Sequence, residues 1–157
     1  MLTKLDALIL CGGKGKRLGN LGKKIPKSLV KIDSTPFIRH IIKSLKYKLI
    51  DSINISGFYK FNLIKRTLNK FKFRNLNLFN DGNIEILERI KKQLIRSKSA
   101  LIVCYGDELA DIDVIKLIRS HSRSKKILTI TTMEYKSSFG FLLKDKDNFT
   151  FSEKPVL

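Results

Sequence analysis

A chain of 157 residues is the size of one ordinary domain, and 43% hydrophobic residues are enough to bury a core, which argues against a disordered binding tail. No apolar run is long enough to cross a bilayer. Cys11 and Cys104 are too few for a disulfide framework and lack metal-site spacing, which together point to a cytoplasmic protein. Thirty-two basic residues against fourteen acidic ones leave a formal charge of +18, attractive to any polyanion.

The chain opens MLTKLDALIL, with a carboxylate inside its apolar stretch and no small-residue cleavage site. It reads as a first strand and not as a signal peptide. Leu5–Cys11 is a nearly continuous apolar run, as expected for a strand covered on both faces. After a glycine loop, Pro36 can open a helix with Phe37, Ile38, Ile41, Ile42 and Leu45 at helical spacing. A strand over Ile53–Ser56, a helix over Asn62–Phe71 and a third strand over Leu76–Phe79 come next. Another helix, about Ile84–Ile95, carries Ile84, Leu87, Ile90 and Leu94 on one stripe. Ala100–Cys104 is a fourth buried strand, and Asp113–His121 is a helix with Asp111 or Asp113 near its start to favour the dipole. The tail changes character, with strands expected over Ile127–Met133, Phe139–Leu143 and Phe149–Phe151. This alternation predicts a Rossmann-like, doubly wound and mostly parallel α/β sheet with a β-rich C-terminal end.

The loop carries the chemistry. Gly12, Gly13 and Gly15 directly follow the first strand. Glycines let the backbone turn with positive φ and bring its N–H groups close to phosphate oxygens. Lys14, Lys16 and Arg17 add charge, and an arginine fork can take a phosphate in a bidentate way. The Walker pattern is absent, and a dinucleotide G-x-G-x-x-G would need glycine at Leu18. Further on, Pro26 fixes an extended step that aims Lys27 back toward the loop, where its ammonium would meet a second phosphate. The high charge has a blander reading. Of the 32 basic residues 24 are lysine, scattered from Lys4 to Lys154, so a solvated surface is favoured over a nucleic-acid-binding stripe.

These residues resemble the sugar-1-phosphate nucleotidyltransferases, which include glucose-1-phosphate thymidylyl-, cytidylyl- and uridylyltransferases and heptose-phosphate guanylyltransferases. Their GGxGTRL loop stands here as Gly12-Gly13-Lys14-Gly15-Lys16-Arg17-Leu18, with Lys16 in place of threonine. Their PKP step stands as Pro26-Lys27-Ser28. Tyr105-Gly106-Asp107 matches the GD at a strand end, within a stretch (YGDELADIDV) most similar to the cytidylyltransferases. Phe139-Gly140 matches the [YF]G step, and Ser152-Glu153-Lys154-Pro155 matches the EKP motif.

The resemblance implies a nucleotide-diphospho-sugar transferase type of fold and attack by a sugar 1-phosphate oxygen on the α-phosphorus of an NTP, releasing pyrophosphate. It implies a triphosphate held by the loop amides, with Arg17 on the leaving pyrophosphate and Lys27 bridging the reacting phosphates. Asp107 would hold Mg2+, while Gly140, Glu153 and Lys154 would receive the sugar and its phosphate. Cys11, at the mouth of the loop, is grouped with the nucleotide-binding residues, though like Cys104 it also reads as a small buried side chain. Asn80-Asp81-Gly82-Asn83 occupies the place where the family reads the nucleobase, so Asp81 and Gly82 are candidates; a plain loop before a helix cap is the alternative.

Other polar residues read as structural. Asp107 on its own could cap a turn, and Glu108, Asp111 and Asp113 read as solvent-facing or capping groups. His40 and His121 have no acid-base partner in the sequence and are expected at the surface. Family members continue beyond the EKP motif, so a single nucleotidyltransferase-like domain over 1–157, truncated at its C-terminus, is expected. An unpaired strand edge there would favour self-association into a homo-oligomer. Two other functions compete: a non-catalytic nucleotide-binding or regulatory domain, and a basic nucleic-acid-binding domain.

Overall fold

A computed structural model describes residues 4–45, 49–97, 99–134 and 138–153. The chain divides into two compact units, Met1–Arg119 and Ser120–Leu157. The first is built on a four-stranded sheet of β1 (Leu5–Cys11), β4 (Ile50–Gly57), β5 (Leu76–Asn80) and β6 (Leu101–Tyr105). Its strands run parallel in the order β5-β4-β1-β6. A helix follows each of the first three: α2 (Phe37–Ser44), α3 (Phe61–Asn69) and α4 (Ile86–Ser97), and α5 (Val114–Ser124) follows β6. This is the doubly wound α/β fold the alternation predicted.

The register explains the core. Ala7 pairs with Ile53 and Ile9 with Ile55, which puts these apolar side chains on one face of the sheet together with Cys11. Ile38, Ile41 and Ile42 of α2 and Ile64 and Leu68 of α3, at helical spacing, close over that face. A smaller cluster joins Leu5 to Val114 and Ile118 of α5.

The opposite face is mixed, with the buried Leu8 and Leu10 set among polar side chains. Leu8 pairs with Asn54 and Leu10 with Ser56, while Asn54 pairs with Asn77 on β5. Asp6 accepts from Ser52 Oγ at 2.6 Å and from Ser97 Oγ of α4 at 2.5 Å, and Asn77 Nδ2 donates to Asn54 Oδ1 at 2.9 Å. The stripe expected to bury α4 does not. Leu87 is 77% exposed and Leu94 46%, while the buried residues of the helix are Arg89 and Gln93. Arg89 turns inward to donate to the Ser56 hydroxyl and the Gly57 carbonyl of the sheet beneath, whereas Gln93 is buried with its Oε1 unpartnered among the described residues.

Several short elements were not foreseen: α1 (Gly19–Lys24) just after the loop, and a small hairpin of β2 (Lys31–Ile32) and β3 (Thr35–Pro36) turning through positive φ at Asp33 and Ser34. In the second unit, β7 (Phe141–Asp145) and β8 (Asn148–Ser152) form an antiparallel hairpin. The strand expected over Ile127–Met133 does not form, and Ile127, Leu128, Ile130 and Met133 are exposed. A β pattern becomes a strand only where a neighbour takes its backbone hydrogen bonds. Among the described residues no helix is long and apolar enough to cross a membrane.

Candidate active site

The loop leaves β1 at Cys11 and turns through Gly15, whose φ of 60° is left-handed and suits glycine. Gly13, Lys14, Lys16 and Arg17 are exposed and Gly12 and Gly15 half-buried, leaving the loop's amides and cations open to a ligand. The carbonyl end of α1 is tied down by groups outside the loop. Tyr59 Oη donates to the Gly22 carbonyl at 3.0 Å, and Lys60 Nζ to the carbonyls of Lys23 and Lys24 at 2.5 and 2.9 Å. This clamp from the end of β4 gave no signal in the sequence.

Pro26 is extended (φ −60°, ψ 147°) and buried, as the X-Pro step predicted. Lys27, next to it, turns back and donates from Nζ to Asp107 Oδ2, both side chains keeping part of their surface open to solvent. Asp107 reaches this point because β6 lies beside β1, with the Gly106 amide bonded to the Leu10 carbonyl at 2.9 Å. Thus Gly13, Gly15, Lys27 and Asp107 line one cleft at the carboxyl end of the parallel strands, where open α/β sheets bind ligands. Cys11 and Ser28 form its floor, and burial pushes the Cys11 thiol up to about 12, with Ser28 drawing it slightly down.

Asp81 and Gly82 follow β5 at the same edge. The Asp81 carboxylate turns inward, accepting from Ser56 Oγ at 2.5 Å and Arg96 Nη2 at 2.7 Å. Burial alone would raise its pKa, but the hydrogen bonds from Arg96 and Ser56 and the charges of Arg96 and Lys92 outweigh this and hold the carboxyl below its usual range. Gly82 stays at the surface side with φ 77°. Arg89, Arg96 and Ser56 are parts of this edge that sequence reasoning missed, since a lone polar residue in a helical pattern or at the end of a strand carries no motif.

Asp113 behaves as the capping reading expected, its Oδ1 accepting from the Lys116 amide at 2.9 Å. Glu108 and Asp111 are exposed. His40 is half-buried, not at the surface, with its Nε2 shielded in the helix packing. In the second unit Gly140 immediately precedes β7 and Glu153 follows β8, both exposed. Lys154 lies outside the described residues.

A glycine turn, Lys27 and Asp107 meet at the carboxyl edge of a parallel sheet, the place where doubly wound α/β proteins bind ligands. The profile of the nucleotidyl transferase family matches residues 6–157, and the chain belongs to that family of enzymes. It is 28% identical to a probable glucose-1-phosphate cytidylyltransferase from Bacillus subtilis, over 96% of this chain and 69% of that one. It is 31% identical to the D-glycero-alpha-D-manno-heptose 1-phosphate guanylyltransferase of Campylobacter jejuni, over 94% and 67%. The crystal structure of HddC from Yersinia pseudotuberculosis, also solved with GMP-PN, superposes with a TM-score of 0.75 at 26% identity, covering 96% of this chain and 69% of that one.

Proposed function

We propose that the chain binds an NTP with Mg2+ and transfers its nucleoside monophosphate to a sugar 1-phosphate, giving an NDP-sugar and pyrophosphate. The observation that carries this reading is the meeting of the glycine loop, Lys27 and Asp107 in one cleft. Transfer of this kind needs positioning and charge neutralisation more than covalent help from the protein. The loop from Gly12 to Lys16, with Cys11 at its base, cradles the triphosphate, and Arg17 neutralises the pyrophosphate as it leaves. Lys27 holds the α-phosphate and the incoming sugar phosphate together.

Asp107 suits Mg2+. This ion keeps several waters and takes one or two protein carboxylates alongside substrate phosphates, so a single carboxylate in an open cleft is a fitting ligand. When bound, the ion would neutralise charge on the phosphates. The Lys27–Asp107 pair keeps both groups in place without substrate; each then exchanges its partner for a ligand, the ammonium for phosphate and the carboxylate for the cation. Gly82 contributes backbone to the nucleobase side, and Asp81 acts through Arg96 and Ser56. Gly140, Glu153 and Lys154 are assigned to the sugar phosphate by their motifs. The named relatives use cytidine and guanosine nucleotides, so CTP and GTP are the first candidates.

The test is pyrophosphate release with the four NTPs crossed with a panel of sugar 1-phosphates. Release with one base and one sugar supports the reading. NTP binding with no release under any combination favours a non-catalytic nucleotide-binding domain, and tight, salt-sensitive RNA binding indifferent to Arg17→Ala favours a nucleic-acid protein.

A further inference from the structure

Arg89 is 4% exposed on the inner side of α4, with no carboxylate bonded to its guanidinium in the described structure. Its fork reaches a hydroxyl and two main-chain carbonyls instead. Nη1 donates to Ser56 Oγ at 2.9 Å and to the Gly57 carbonyl at 3.2 Å, and Nη2 donates to the Gly82 carbonyl. Gly12 lies against the same group: a Cβ there would stand 2.7 Å from both Cζ and Nη2. One side chain therefore touches the first residue beyond β1, the last residues of β4 and the segment beyond β5. All three are at the carboxyl edge of the sheet.

Burying a guanidinium is costly, and an apolar residue would seat a helix on a sheet at less expense. What an apolar residue lacks is the planar fork, which can hold two carbonyls at fixed spacing while presenting a flat surface to a third segment. The Ser56 hydroxyl passes the arrangement on to Asp81, and Asp81 to Arg96, whose guanidinium stacks on Phe79 at 4.2 Å.

We propose that Arg89 is a positioning residue joining the glycine loop and the Asp81–Gly82 segment into one nucleotide-binding edge, so that ordering either segment orders the other. This rests on the nucleotide-binding reading above. Because the fork fills the space beside Gly12, a methyl group at position 12 must collide with it, and removing the fork must relieve the collision.

The test compares amide hydrogen exchange in the free protein with binding of the four NTPs in Mg2+, for wild type, Arg89→Lys, Arg89→Ala, Gly12→Ala and Gly12→Ala/Arg89→Ala. Arg89→Lys keeps the charge and loses the fork. It is expected to speed exchange in residues 12–15 and 82–84 together, leave Ile9 and Ile55 protected, and weaken nucleotide binding roughly tenfold or more. Gly12→Ala is expected to weaken binding on its own and to lose most of that effect in the Arg89→Ala background. Unchanged exchange in either segment of Arg89→Lys, or independent effects in the double variant, overturns the proposal. If the wild type binds none of the four NTPs, the functional reading falls, and exchange still decides whether Arg89 links the two segments.

Discussion

The two faces of the central sheet are built on different physics. Under α2 and α3 the contacts are apolar: Ala7, Ile9, Ile53 and Ile55 meet Ile38, Ile42, Ile64 and Leu68, and burial holds the strands whatever their detailed orientation. Under α4, beside the buried Leu8 and Leu10, directional contacts run from Asp6, Ser52 and Ser97 at one end to Ser56, Asp81, Arg89 and Arg96 at the other. The first face supplies stability. The second costs more to build and ends at the edge where the loop, Lys27 and Asp107 meet, so its directionality is spent on placing the site.

Substitutions can break or sharpen that contrast. Ile55→Ala, at a fully buried position, is expected to cost about 2–5 kcal/mol in denaturant unfolding while the folded fraction binds nucleotide as before. Asp81→Asn is expected to cost less, about 1–3 kcal/mol, because Arg96 keeps a polar partner, yet to weaken CTP or GTP binding. If Ile55→Ala impairs binding of the folded protein as much as Asp81→Asn, the two faces do not differ in the way described.

The same carboxylate gives the contrast a pH signature. Its pKa is lowered in the folded state, so its contribution is full above the ordinary carboxylate value near about 4 and is lost as pH falls through the lower folded value. The stability gap between wild type and Asp81→Asn should therefore narrow from pH 7 to about pH 3. A gap that is constant over that range means the carboxylate is not held as described.

Smaller effects are expected at the margins. Leu87→Ser, on the exposed flank of α4, should change stability by no more than about 0.5 kcal/mol, whereas a large loss would mean the flank is covered. Burial pushes the thiols of Cys11 and Cys104 up to about 12 and about 11. Both should resist iodoacetamide at pH 8 in the native protein, as read by mass spectrometry; rapid labelling of Cys11 would show that the floor of the cleft opens.

The apolar face was legible because hydrophobic periodicity is the signal a sequence carries most strongly. The stripes of α2 and α3 fall where spacing put them, and β1, β4, β5 and β6 lie within a few residues of the expected ranges. The polar contacts of the other face were not, because Arg89 looks like a solvent-facing position until Ser56 and the Gly57 carbonyl are known to lie opposite. Of the stripe expected for α4, Ile84 and Ile90 are half-buried while Leu87 and Leu94 are exposed. Ile127–Met133 alternates like a strand, but no periodicity can say whether a partner strand stands beside it. At the site, the order of motifs singled out Lys27 and Asp107, which lie 80 residues apart and meet in one ion pair. The clamp of Tyr59 and Lys60 on α1 has no motif, and only the approach of the segment after β4 to the end of α1 displays it.

The most direct test of the site is the Mg2+ dependence of nucleotide binding, measured by calorimetric titration of CTP and GTP with Mg2+ or with EDTA. Wild type should bind one of them more tightly with the cation, and Asp107→Asn should lose that difference while keeping a comparable affinity in EDTA. A Mg2+ dependence that survives Asp107→Asn intact would contradict the assignment of the cleft.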